Sequence, residues 1–64
     1  MGTFKVKSSP ETNATFRVLK EDSGGFYIHL TEEREYYTEE KEEFIPKTLF
    51  DTCIRTGYFT KLNG

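Results

Sequence analysis

The chain has 64 residues, of which 34% are hydrophobic, with nine Lys and Arg against eleven Asp and Glu. That length allows one small domain over residues 1–64 with frayed ends, no window approaches the ~18 apolar residues of a membrane span, and Met1 to Lys7 has no apolar signal-peptide core, so a cytoplasmic protein without membrane contact is expected. A single Cys excludes a disulfide framework and any Cys-cluster zinc site, and a net charge of −2 is too balanced for nucleic-acid binding driven by bulk basicity.

A domain of about 60 residues buries only ~60% of the surface its unfolded chain exposes. Here the compensation is aromatic: six Phe and four Tyr, with no Trp, and each such ring can bury ~150–250 Å². The six Phe, at 4, 16, 26, 44, 50 and 59, are spread along the chain, so every segment is expected to feed one core. Self-association would add further buried area.

In chain order, Thr3-Phe4-Lys5-Val6-Lys7 alternates apolar and polar and predicts a short half-buried strand. Ser8 to Asn13 has turn and loop composition. Thr15 to Glu21 and Phe26 to Thr31 flank Asp22-Ser23-Gly24-Gly25 and read as a β-hairpin. A three-residue loop, Ser23 to Gly25, gathers Phe16, Val18, Phe26, Ile28 and Leu30 on one face, whereas a one-residue slip scatters them. That loop asks for a residue of positive φ at its end, where Gly25 sits. It sets Leu19 opposite His29 and Glu21 opposite Tyr27 on the other face.

Glu32 to Glu43 holds seven Glu around Tyr36 and Tyr37. Helix propensity is opposed by repulsion at i,i+4 spacings, and Tyr36, Tyr37 and Thr38 suit a pleated surface. We therefore expect a second hairpin, with Tyr36 to Thr38 in its first strand, Glu39 to Glu42 as its turn and Glu43 to Ile45 in its second strand. If that first strand runs on from Phe26, then Tyr27, His29 and Tyr37 share the face opposite Phe26, Ile28 and Leu30. Pro46 to Thr56 predicts a helix: Pro46 suits the first helical position, Gly57 suits a left-handed cap, Arg55 favours the negative end of the dipole, and Leu49, Phe50, Cys53 and Ile54 form one apolar stripe. Tyr58 is positioned to touch Cys53 as in a Schellman cap. Tyr58 to Leu62 reads as a final edge strand, with Asn63 and Gly64 frayed. The expected fold is α+β, a small antiparallel sheet of four or five strands in the order β-β-β-β-α-β covered by one helix at 46–56. An SH3-like barrel is the rival.

Charge is segregated along the sequence. Residues 1–20 carry +3 (Lys5, Lys7, Arg17 and Lys20 against Glu11). Residues 21–43 carry −7 (nine acids against Arg34 and Lys41), and residues 44–64 carry +2 (Lys47, Arg55 and Lys61 against Asp51). The plain reading of the acidic block is a solvated hairpin that guards an edge and aids solubility. The functional reading is a face that steers a basic partner. No Asp-rich ligand spacing supports calcium. Aromatics on a non-core sheet face can likewise be a contact surface, although rings packed under the helix are the plainer expectation. His29 is the only His, and no His-Glu-x-x-His pattern exists. It reads as a surface residue, and Cys53, on the apolar stripe, as a small core hydrophobe. A thiol nucleophile would need His29 beside it.

These residues point to a non-enzymatic protein-binding or regulatory module. Its partner-binding surface would be Tyr27, His29, Tyr36, Tyr37, Glu32, Glu33, Glu35, Glu39, Glu40, Glu42 and Glu43, and its partner a basic protein. No catalytic residue, metal or cofactor is expected, and exposed rings on an edge strand also allow a homodimer. The alternative is a nucleic-acid-binding β-domain using Lys5, Lys7, Arg17, Lys20 and surface tyrosines.

Overall fold

The computed structural model describes residues 2–7 and 13–62. The expected loop from Ser8 and the frayed Asn63 and Gly64 lie outside the described residues, apart from Asn13, which opens a strand. The elements are β1 (Thr3–Val6), β2 (Asn13–Glu21), β3 (Gly25–Glu33), β4 (Thr38–Pro46), α1 (Lys47–Arg55) and β5 (Phe59–Lys61). They form an open five-stranded sheet in the order β4-β3-β2-β1-β5, antiparallel throughout, with α1 packed on one face. This is the expected α+β arrangement, with β4 and β5 at the two edges.

Period-2 alternation decides which residues meet the helix. Register pairs Phe4 with Phe16, Phe16 with Leu30, Val18 with Ile28, and Phe26 with Ile45. These side chains share the helix face, together with Val6, Ala14 and Phe59. The helix contributes one large ring. Phe50 sits with its centroid 4.3 Å from Phe26, 5.4 Å from Phe4, 5.8 Å from Phe59 and 6.3 Å from Phe16. Five of the six Phe thus form one cluster, with Phe16 at its centre, only 2% exposed.

Four local expectations are corrected. The first concerns the β2–β3 register. Leu19 is bulged out between Val18 and Lys20, so Arg17 faces His29 and Lys20 faces Tyr27; Leu19 does not face His29, nor Glu21 Tyr27. The shift before the bulge is two residues, an even number, so the apolar face predicted by parity survives.

The second concerns Gly25. Gly57 (φ 82°) is the only glycine with positive φ among the described residues. The turn is closed instead by Asp22, whose Oδ1 accepts from Gly24 N (2.8 Å) and Gly25 N (3.0 Å), while Asp22 N donates to Gly25 O (2.9 Å). Gly25 serves close approach. A Cβ there would collide with the Ile45 carbonyl oxygen, and would lie 2.8 Å from Phe44 Cζ and 2.9 Å from Pro46 Cα.

The third concerns the tyrosines. β3 ends at Glu33 and the turn falls at residues 34–37, closed by Arg34 N donating to Tyr37 O (2.8 Å). Tyr36 and Tyr37 are therefore turn residues, 88% and 59% exposed, neither in a strand nor under the helix. Pairing decides the point: nine consecutive residues of β4 bond to β3, from Thr38 to Pro46, which leaves no room for a turn among Glu39 to Glu42.

Pro46 precedes the helix rather than opening it. Its backbone (φ −58°, ψ 146°) is still extended and paired with Gly25, and the first helical amide, Lys47 N, donates to the Gly24 carbonyl (3.0 Å). The helix start is thereby tied to the β2–β3 turn. At the other end Gly57 N donates to Ile54 O (3.2 Å), as a left-handed cap requires. Tyr58 leans on Phe59, with ring centroids 5.7 Å apart.

Candidate functional site

The face of the sheet away from α1 has no covering layer among the described residues. Alternation brings to it Thr3 and Lys5 of β1, Thr15, Arg17 and Lys20 of β2, Tyr27, His29 and Thr31 of β3, and Glu40, Glu42 and Phe44 of β4. Lys7 is next in the alternation beyond β1. Neighbouring strands lie about 4.8 Å apart, so the cations of β1 and β2 form one basic half and the carboxylates of β4 an acidic edge. At the end of this face near the β2–β3 turn, in the row of Lys20, Tyr27 stacks at a tilt on Phe44, with ring centroids 4.9 Å apart, and both rings are 43% exposed. Phe44 is the site residue that sequence reading missed. Phe44 and Ile45 are adjacent and both apolar, so only the pairing of Tyr27 with Phe44 reveals which one faces out.

A shallow hollow of about 290 Å³ lies at the middle of this face, lined by Thr3, Thr15, Phe16, Arg17, His29, Thr31 and Glu40. His29 Nε2 and Glu40 Oε1 are 2.9 Å apart across its edge. Three threonines, a guanidinium and an imidazole make a wall rich in hydrogen-bond donors.

The residues expected to form one acidic, Tyr-containing surface do not lie together. Tyr27, His29, Glu33, Glu40 and Glu42 alternate onto the open face. Glu32, Glu39 and Glu43 alternate onto the helix face. There Lys41 Nζ lies 3.5 Å from Glu43 and 3.6 Å from Glu32, and Arg34 lies 3.2 Å from Glu32 and 3.7 Å from Glu39. The carboxylates of Glu43, first, and then Glu32 raise the Lys41 ammonium above its usual pKa. Glu35, Tyr36 and Tyr37 occupy the turn. A period of two sends successive Glu to opposite faces, so a block that is continuous in sequence is divided in space.

By contrast, Lys5, Lys7, Arg17 and Lys20, distant in sequence, are brought to one face with Tyr27. Cys53 is half-buried on the helix and His29 lies on the opposite side of the sheet, so the pair that thiol chemistry would need is not formed. Among the described residues no group of three or more His, Cys, Asp or Glu could hold a metal ion, and no helix is long and apolar enough to cross a membrane.

Residues 1–64 match a family model that carries no functional description, and the chain belongs to that family of unknown function. Over 60 residues the chain is 30% identical to an uncharacterized protein of Treponema pallidum (strain Nichols), a match that covers 94% of this chain and 31% of that protein. The chain therefore spans about a third of the length of this relative. No solved structure matches.

Proposed function

We propose that the open face of the sheet binds single-stranded nucleic acid. One observation carries the reading: Lys5, Arg17 and Lys20 share, by register, the uncovered face that exposes Tyr27 and Phe44. Phosphates would track along the basic β1–β2 half, where each neutralised charge releases counterions. Bases would stack on Tyr27 and Phe44, since every base has a π-face and needs no sequence-specific partner. Threonine hydroxyls and Arg17 in the hollow would supply further donors to phosphate or sugar oxygens. The Glu40 and Glu42 edge would repel the backbone and so fix which way the strand lies. A duplex, with its bases inside the stack, cannot use the rings.

Fluorescence anisotropy with labelled single-stranded and duplex oligonucleotides at low salt tests this. Tyr27→Ala is expected to weaken single-strand binding by roughly tenfold, from the ~1–3 kcal/mol of one stacked base. Arg17→Glu is expected to weaken it further, and Glu40→Gln with Glu42→Gln to strengthen it. No binding at ~50 mM salt, where phosphate contacts are strong, would overturn the reading.

A second reading, capture of a basic protein, is favoured by the exposure of every residue from Glu39 to Glu43. Reversing Glu39, Glu40, Glu42 and Glu43 to Lys separates the two. It abolishes salt-sensitive capture under the second reading and tightens oligonucleotide binding under the first.

A further inference from the structure

The helix covers only part of its side of the sheet. Beside it runs an apolar groove of about 250 Å³, lined by Val6, Ala14, Ile28, Leu30, Leu49 and Phe59 among others, with Glu32 and Glu43 at its rim. Leu49 and Ile54 on α1 are 52% and 40% exposed. In a chain whose described residues bury only six hydrophobic side chains, an uncovered apolar groove beside two exposed aliphatic side chains of the helix marks a contact face.

We propose that this face is the interface of a homodimer, in which α1 of each copy covers the groove of the other. A two-fold contact requires one patch to hold both complementary halves, and this patch does. The groove is an apolar floor with a carboxylate rim. The helix presents Leu49 and Ile54 with Arg55 in its last turn, and Arg55 forms no ion pair among the described residues, whereas Lys47 is held by Glu21 at 3.6 Å.

On the rim, Glu32, Glu39 and Glu43 share only Lys41 and Arg34, which leaves negative charge for a partner's Arg55. The sequence carries the same complementarity, with +2 over residues 44–64 and −7 over residues 21–43. Because Leu49 belongs both to the helix stripe and to the groove wall, the Leu49 side chains of the two copies meet near the axis. The open faces are left free on the two outer sides.

Sedimentation equilibrium of the full chain tests the proposal, with a dimer of twice the 7.5 kDa chain mass expected. Leu49→Glu, at a half-exposed position that the fold tolerates, is expected to weaken association by about tenfold while leaving the circular dichroism spectrum unchanged. Glu43→Arg and Arg55→Glu should each weaken self-association, and an equimolar mixture of the two should associate as a heterodimer. A wild-type chain that is monomeric at about 1 mM, a concentration that detects even millimolar association, would overturn the proposal. So would unchanged association in the folded Leu49→Glu variant, or failure of the charge-reversed pair to associate.

Discussion

Two glycines show how differently one residue type can be required. Gly57 stands in open space, with nothing within 4 Å of where a Cβ would stand, and is needed only for its φ of 82°. Gly57→Ala is therefore expected to cost about 1–2 kcal/mol, the penalty of a left-handed L-residue. Gly25 has ordinary backbone angles but sits against the backbone of Ile45 and Pro46, atoms held by strand pairing that cannot rotate away. Gly25→Ala is expected to cost more, about 3 kcal/mol, at the upper end of overpacking effects, and to loosen the start of α1, whose first amide bonds to Gly24 O. Urea unfolding of the two variants checks the order. Equal losses would mean that the β3–β4 pairing yields to a Cβ at Gly25 and that the close approach is not what requires glycine there. Sequence reading identified both positions as special, and the reason was right only for Gly57, because a left-handed cap is a local event and a close approach between β3 and β4 is not.

The helix holds to the sheet through Phe50, which touches rings from β1, β2, β3 and β5. Phe50→Ala is expected to cost about 3 kcal/mol, a large part of the roughly 3–10 kcal/mol available to a chain of this length. Faster hydrogen exchange should follow across α1. Phe44→Ala, on the open face and 43% exposed, should cost about 1 kcal/mol and affect oligonucleotide binding instead. If both substitutions destabilise equally, the open face is not an independent surface.

The apolar stripe, the helix and the last strand were all legible in the sequence, since each is written in a period of two or 3.6 with a proline or glycine at its end. The acidic hairpin was half legible. Its strand–turn–strand form was expected, but the turn lies at residues 34–37, nearer its start. Glu, Tyr and Thr carry no strong turn signal, and the boundary is set by the nine-residue pairing with β3.

As a whole, the molecule is a sheet with two unlike sides. One side carries five Phe, a helix and an apolar groove; the other carries cations, threonines and two exposed rings. If four phosphates are neutralised by Lys5, Lys7, Arg17 and Lys20, log affinity for single strands should fall with log salt at a slope of about −3. Anisotropy titrations between low and physiological salt check this value. A flat response would remove phosphate from the ligand and leave only the rings. The dimer face lies on the other side of the sheet, so Leu49→Glu should leave the intrinsic affinity of each protomer for a short oligonucleotide unchanged.

The near-neutral charge of −2 concealed a strongly segregated chain. That segregation, the aromatic core and the α+β order are legible in the chain before it folds, because composition and periodicity are local properties that folding does not alter. What the charges form is set by strand pairing. Alternation divided the continuous acidic block between two faces, and strand pairing gathered Lys5, Arg17 and Lys20 onto one. Which side chains share a surface depends on register between strands distant in sequence, and register is settled by the pairing of whole strands rather than by any residue in them.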